Sequence, residues 1–164
     1  MIRIYVLRHG EAVDATETGG SDRARVLTPR GRDTSTTAAR GMGRLGITPA
    51  VILTSPYPRA AQTAELTASQ LASRPPIERA DQLMPGATPQ QIAALLAERT
   101  EDELMLVGHN PDLEWLLAWL VSPGEDARLN LKKGALALVQ SGRPPRAGEG
   151  SLRWLLTPSQ LSRM

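Results

Sequence analysis

The chain has 164 residues, 41% of them hydrophobic and 22% charged, which is the composition of a soluble globular protein, and we expect residues 1–164 to form one domain. The formal net charge is only +2, and the basic residues form no long run or aromatic-interleaved patch, so nucleic-acid binding is not expected. Because the chain has no cysteine, disulfides and thiolate chemistry are excluded. It has no apolar run of 18 residues and no signal-peptide pattern, so we predict no membrane span and a cytoplasmic protein.

The first half of the chain alternates strand and helix patterns. It predicts, in order, a strand over 2–7, a polar loop over 10–27, a helix from Thr28 to about Leu45, a strand over 50–54 and a helix from Ser55 to about Ser73. The first helix has the clearest start, because Thr28 is a good N-cap residue and Pro29 suits the first helical position.

The second half continues the alternation. It predicts a short strand over 76–80, a helix from Thr88 to about Arg99, a strand over 103–107, a helix opened by Pro111, and strands over 134–140 and 151–156 that pair with each other. This order of elements predicts an α/β fold, a three-layer α/β/α sandwich with a mostly parallel central sheet.

Charged and imidazole side chains stand where predicted strands end. Arg8 and His9 follow the first strand, Arg59 lies just beyond the second, and His109 follows the fourth; the chain has no other histidine. Because the carboxyl ends of parallel strands share one edge of a sheet, these side chains are expected to converge. Guanidinium groups match phosphate oxygens, and one imidazole can act as a nucleophile while the other stabilises charge. Such chemistry requires no metal and no cofactor.

Three segments together resemble the histidine phosphatase superfamily, which has the phosphoglycerate-mutase-like fold: Leu7-Arg8-His9-Gly10-Glu11, the segment 55–64 (SPYPRAAQTA) and Val107-Gly108-His109. The resemblance implies that His9 is the nucleophile that becomes transiently phosphorylated. It also implies that Arg8, Arg59 and His109 hold the phosphoryl oxygens and stabilise their charge.

Within that superfamily the chain is most similar to the SixA-type phosphohistidine phosphatases. The features that carry this likeness are Ala12 after the first motif, the helix entry 26–31, the segment 131–135 and the ending 154–158.

The chain departs from the mutase branch at the general acid. That branch supplies a glutamate after the second helix, whereas residues 82–86 here contain no carboxylate. The candidates are Glu11, Asp81 or no residue of the protein. Without a proton donor an alkoxide leaves poorly, but a phosphoramidate can be protonated on nitrogen, so the departure favours P–N over ester hydrolysis.

The predicted elements account for most of the chain and leave no long insertion to act as a lid, which favours a pocket open to another protein. We therefore predict a metal-independent phosphatase that hydrolyses phosphohistidine on a histidine phosphotransfer domain. The alternatives are a small-molecule phosphomonoesterase of the same superfamily and a non-catalytic module that binds a phosphorylated partner. The oligomeric state is not predicted.

Several polar residues have ordinary structural interpretations. The loop carboxylates Asp14, Glu17 and Asp22 are expected to be solvated. Ser55 can donate a hydrogen bond near the pocket, but Ser-Pro is also an ordinary strand-to-helix turn, so Ser55 is left off the catalytic set. Asn110 is a candidate cap for the helix opened by Pro111. For Lys132-Lys133 we favour a solvated loop pair over a role in docking an acidic partner.

Overall fold

A computed structural model describes residues 1–124 and 126–164 of the chain. The strands are β1 (Ile2–Arg8), β2 (Val51–Thr54), β3 (Ile77–Arg79), β4 (Glu103–Gly108), β5 (Leu136–Ser141) and β6 (Ser151–Leu156). The α-helices are α1 (Pro29–Arg44), α2 (Pro58–Gln70), α3 (Pro89–Ala97), α4 (Asp112–Val121) and α5 (Pro158–Leu161), with 3₁₀ turns at Ala15–Thr18 and Asp81–Leu83.

The strands form one six-stranded sheet in the order β3-β2-β4-β1-β5-β6. The pairings of β1 with β4, β2 with β4 and β2 with β3 are parallel, whereas β5 runs antiparallel to both β1 and β6. The predicted adjacency of the last two strands is confirmed, as is the mostly parallel sheet. This order places the ends of β2, β4 and β1 side by side, which matters for the site described below.

Each face of the sheet is covered by helices, giving three layers. Along β1 the buried side chains alternate, because successive residues of a strand point to opposite faces. Ile2, Ile4 and Val6 belong to the core covered by α3 and α4, whereas Tyr5 and Leu7 belong to the core covered by α1, α2 and α5. The predicted α/β/α arrangement is therefore correct.

Three of the helices begin at threonine caps followed by proline. The side chains of Thr28, Thr88 and Thr157 accept hydrogen bonds from backbone N–H groups in the first turns of α1, α3 and α5. The sequence analysis did not predict α5 or the 3₁₀ turn Ala15–Thr18. Both have four residues, too few for a periodic apolar pattern to emerge.

Two glycines allow the segment after β1 to lie against its neighbours. A Cβ on Gly31 of α1 would lie 2.1 Å from the Glu11 carbonyl oxygen, so only glycine permits this approach. Gly134 has a φ of +74°, and its N–H is 3.1 Å from both the Arg8 and the His9 carbonyl oxygens. The backbone around His9 is thus fixed from both sides.

Candidate active site

The four side chains predicted from the sequence meet at the carboxyl edge of the sheet. The imidazole rings of His9 and His109 lie with their centroids 5.1 Å apart, and Arg59 Nε is 3.4 Å from His9 Nε2. Both histidines are almost wholly buried, at 6% and 3% exposure. The adjacency of β1 and β4, which their ladder maintains up to Arg8 and Gly108, brings the two histidines together.

The hydrogen bonds of His9 define its tautomer. Nδ1 is 2.7 Å from the Gly10 carbonyl oxygen, which can only accept, so Nδ1 carries the ring proton. Nε2 accepts from Arg59 Nε and therefore holds a lone pair. The nitrogen with the lone pair is the one that can attack phosphorus, and the carbonyl behind the ring stabilises the positive charge that the ring acquires when it does.

The electrostatic surroundings keep both imidazoles neutral. Burial, chiefly, lowers the pKa of His9 to about 3; the bond to Gly10 opposes this change, and the charges of Arg59 and Arg8 add to it. Burial and then the charge of Arg59 lower the pKa of His109 to about 3 as well. At neutral pH His9 is therefore uncharged, with a lone pair on Nε2.

Arg59 stands in the first turn of α2 with only 5% of its surface exposed. Its terminal nitrogens bond to Asp22, NH1 to the backbone oxygen at 2.8 Å and NH2 to the carboxylate at 3.2 Å. The expectation that Asp22 is merely a solvated loop carboxylate is therefore wrong. Its side chain is 58% exposed, yet it forms an ion pair with an arginine of the site.

Asp22 also binds a second arginine. Its other carboxylate oxygen is 3.0 Å from Arg25 NH1, and Arg25 Nε donates to the Val13 carbonyl at 2.7 Å. The bond to Arg25, foremost, and the charge and hydrogen bond of Arg59 hold the pKa of Asp22 below its usual range. A charged carboxylate bridging two guanidiniums is an acceptor and not a proton donor.

Ser55 lies beside His109 at the end of β2. Its hydroxyl oxygen is 2.8 Å from His109 Nε2, and the residue is completely buried. Sequence reasoning left Ser55 off the site because a Ser-Pro turn alone does not reveal a long-range partner. The Nδ1 of His109 is buried and has no hydrogen-bond partner among the residues described.

Asn110 does not cap α4 as expected, because the helix begins at Asp112 with Pro111 as its N-cap. The Asn110 amide instead donates to the Glu114 carboxylate at 2.8 Å and to the Leu131 carbonyl at 2.9 Å. Arg8 NH1 donates to the same carbonyl at 3.1 Å. Asn110 and Glu114 thus form the support behind Arg8, and no pattern in the sequence predicts it, because Asn110 precedes the helix that carries Glu114.

Arg8 keeps hydrogen-bonding capacity for a ligand. Its Nε is buried and unpartnered within residues 1–124 and 126–164, and burial lowers its pKa while the charge of Glu114 opposes that change. A guanidinium remains charged under these conditions. Arg8 and Arg59 therefore supply two positive charges to the space around the histidines.

Thr63 is another residue that sequence reasoning missed. Its hydroxyl accepts from the Gly10 N–H at 3.1 Å and donates to the Arg59 carbonyl at 2.8 Å. The side chain is 1% exposed. It ties the segment after β1 to the first turn of α2, the two places that carry His9 and Arg59.

The candidate acids lie apart from the four side chains. Glu11 and Asp81 are both exposed, and in the described part of the chain neither forms a hydrogen bond with Arg8, His9, Arg59 or His109. Asp81 lines a separate cavity with Met84, Pro85 and neighbouring residues.

A surface cavity of about 370 Å³ adjoins the site at Gly10 and Gly134. Its other lining residues are Glu11, Arg30, Thr34, Ser35 and Lys133. No carboxylate of the described residues lies within ion-pair distance of Arg30 or Lys133. The wall of the cavity thus carries two cationic side chains and one carboxylate, that of Glu11, beside the segment that follows β1.

Among the described residues, no three histidine or carboxylate side chains lie close enough together to hold a metal ion. In that same part of the chain, no helix is long and apolar enough to cross a membrane.

Comparison with known proteins identifies the family to which the chain belongs. Residues 4–84 match the model of the histidine phosphatase superfamily, branch 1. An uncharacterized protein of Picosynechococcus is 38% identical over 151 residues, which is 86% of each chain. The chain belongs to the histidine phosphatase superfamily.

More particular likenesses point to one group within that class. The phosphohistidine phosphatase SixA of Escherichia coli is 28% identical over 163 residues, covering 98% of this chain and 96% of that protein. A structure of the protein histidine phosphatase SixA complexed with tungstate superposes with a TM-score of 0.85 at 27% identity, covering 98% and 99% of the two chains. Phosphoglycerate mutase from Bacillus anthracis shares the fold, with a TM-score of 0.75 at 13% identity over 99% and 96%. The chain is thus similar to SixA-type proteins and has the phosphoglycerate-mutase-like fold.

Proposed function

We propose that the protein is a phosphohistidine phosphatase that acts on a phosphorylated histidine of another protein, a histidine phosphotransfer domain, in the cytoplasm. The observation that carries the proposal is the neutral His9, whose Nε2 accepts a hydrogen bond from Arg59 and whose Nδ1 donates to the Gly10 carbonyl, with the His109 ring beside it. The likeness to the phosphohistidine phosphatase SixA supports the choice of substrate.

The proposed reaction has two steps. In the first, His9 Nε2 forms a bond to phosphorus as the P–N bond of the substrate breaks, and the substrate imidazole leaves. In the second, water attacks phosphorus, the bond to Nε2 breaks, and inorganic phosphate is released. Arg8, Arg59 and His109 bind the phosphoryl oxygens in both steps. No step is assigned to a metal or a cofactor.

The surroundings of His9 favour a phosphoramidate over an alkyl ester. A leaving imidazole can take a proton on its own ring nitrogen, whereas an alkoxide needs one from the enzyme. Asp22 is charged and accepts hydrogen bonds from two arginines. Among the described residues, Glu11 and Asp81 form no hydrogen bond with the four side chains. A substrate whose leaving group is protonated on its own ring nitrogen therefore suits this site.

The cavity beside Gly10 suits a macromolecular substrate. Arg30 and Lys133 on its wall can pair with acidic side chains that surround the phosphohistidine of the partner. For Lys133 this favours a role in docking an acidic partner over that of a merely solvated side chain.

The first test compares phosphate release from a histidine-phosphorylated phosphotransfer domain and from p-nitrophenyl phosphate, both with EDTA present. We expect faster turnover of the protein, a loss of turnover in His9→Gln, and trapping of ³²P on His9 of the wild type. Dominant ester turnover would instead indicate a small-molecule phosphomonoesterase. Stoichiometric binding of the phosphorylated domain without phosphate release would indicate a binding module.

A second test examines the cavity with charge reversals. Lys133→Glu and Arg30→Glu should each raise KM for the phosphorylated domain several-fold without changing KM for p-nitrophenyl phosphate. Arg44→Glu is the matched control, because it makes the same charge change about 21 Å away at the other end of α1. Equal effects of all three variants would argue against docking at this cavity.

A further inference from the structure

Ser55 forms a hydrogen-bond pattern that defines where its proton goes. Its oxygen accepts from the Tyr57 backbone N–H at 3.2 Å, because an amide N–H can only donate. The remaining partner of that oxygen among the described residues is His109 Nε2, at 2.8 Å. The residue is completely buried, so bulk water does not compete for the hydroxyl proton.

We propose that Ser55 is a positioning residue that sets the tautomer of His109. Its hydroxyl donates to Nε2, and the single ring proton of His109 is thereby held on Nδ1. Nδ1 is the buried nitrogen with no partner in the described structure, on a ring whose centroid is 5.1 Å from that of His9. An N–H at this position is a donor for an oxygen of the phosphoryl group on its way to His9.

The choice of tautomer decides what His109 can do. Burial and the charge of Arg59 keep its imidazole neutral, so it has one N–H and one lone pair. With the proton on Nε2, Nδ1 would turn a lone pair toward negatively charged oxygens and repel them. With the proton on Nδ1, a neutral His109 stabilises the transferring group without needing to become charged. The inference concerns the reaction of the proposed function and extends it to a residue outside the four.

The tautomer can be measured directly because the chain has only two histidines. Ring-¹⁵N-labelled protein, examined by long-range ¹H–¹⁵N correlation, gives four ring-nitrogen signals, and His9→Gln assigns those of His109. We expect the Nδ1–H form in the wild type and in Ser55→Thr, which keeps the hydroxyl. In Ser55→Ala the signals should move toward the Nε2–H form.

Steady-state kinetics of Ser55 variants distinguishes a positioning role of the hydroxyl from a role in packing. Ser55→Ala should lower kcat on the phosphorylated domain by about 10²-fold, the scale of losing one oxyanion donor, with a much smaller change in KM. Ser55→Thr should recover most of that loss. Thr54→Val is the control, since it removes a neighbouring buried hydroxyl whose hydrogen bond among the described residues is to the Ser55 carbonyl. This variant should leave the His109 tautomer unchanged.

Two results would overturn the inference: an Nε2–H form of His109 in the wild type, or the same Nδ1–H form in wild type and Ser55→Ala. The wild-type spectrum decides the first even if the alanine variant does not fold. Because the spectra do not depend on turnover, failure of the proposed function would appear as absent phosphate release with the tautomer as described. Failure of this inference alone would appear as normal turnover with the other tautomer.

Discussion

The two terminal nitrogens of Arg59 bond to Asp22, while its Nε bonds to His9. At the scale of single residues we expect this sharing to limit the strength of phosphate binding, because the carboxylate of Asp22 carries the same sign of charge as a phosphate. The carboxylate orders the guanidinium and at the same time weakens the pull of Arg59 on an incoming oxyanion.

Replacing Asp22 by asparagine should therefore tighten binding of inorganic phosphate several-fold, since the amide keeps an acceptor for Arg59 and loses the negative charge. The measurement is the constant for inhibition of the enzyme by inorganic phosphate, with the phosphorylated domain as the substrate. Asp14→Asn is the matched control, because Asp14 lies in the same loop and its side chain caps the 3₁₀ turn Ala15–Thr18, accepting from the Thr16 N–H at 3.0 Å. Weaker phosphate binding in Asp22→Asn would mean that ordering Arg59 outweighs the repulsion.

The role of Asp22 could not be read from the sequence. It lies 37 residues from Arg59, in a loop with no periodic pattern, and nothing distinguishes it there from Asp14 or Glu17. The residues that the sequence did reveal, Arg8, His9 and His109, stand directly at the ends of apolar strands, where polar side chains are easily noticed.

At the scale of elements, the packing of α1 against the segment after β1 depends on Gly31. A Cβ there would meet the Glu11 carbonyl oxygen at 2.1 Å and its carbonyl carbon at 3.0 Å. The backbone that carries His9 and Gly10 would have to move away from α1. The packing of α1 and the position of His9 are therefore linked through one glycine.

We expect Gly31→Ala to destabilise the protein by about 1–3 kcal/mol, the usual cost of overpacking, and to lower kcat at temperatures where the variant is folded. Gly43→Ala in the same helix is the control, because its nearest neighbour is the Gln70 carbonyl oxygen at 3.3 Å. There the gain in helix propensity of about 1 kcal/mol offsets the tighter contact. Urea unfolding and kcat of both variants test this, and equal behaviour would contradict the assignment to Gly31.

The first residue of a helix could be predicted from the sequence where the helix has a strong N-cap. Thr28 with Pro29 and Thr88 with Pro89 begin α1 and α3 as predicted, because a threonine hydroxyl satisfies an orphan N–H and proline fits the first turn. Helix α5 escaped prediction because its stability comes from packing. Its Leu161 backbone lies so close to Gly41 of α1 that no side chain fits between them.

At the scale of the whole molecule, the two buried histidines couple stability to pH. Their pKa values are about 3 in the folded protein and about 6.5 in an unfolded chain. As the pH falls below about 6.5 the unfolded state binds protons that the folded state does not, so the free energy of unfolding falls with decreasing pH until about pH 3.

Between about pH 7 and pH 5 this linkage should lower the free energy of unfolding by roughly 2 kcal/mol per histidine. Urea unfolding at the two pH values measures it. His9→Gln removes one of the two groups and should roughly halve the change. A free energy independent of pH over this range would show that the histidines titrate normally in the folded protein.

The sequence by itself determined the class of fold, the strand exits that carry Arg8, His9 and His109, and the motif with Arg59, because these depend on local periodicity and on residues adjacent in the chain. Only the tertiary structure decided the partners of those side chains: Asp22 on Arg59, Ser55 on His109, Thr63 between Gly10 and Arg59, and the support of Arg8 by Glu114 and Asn110. Most of these bonds join segments far apart in the chain, and their geometry exists only once the sheet places the ends of β2, β4 and β1 side by side.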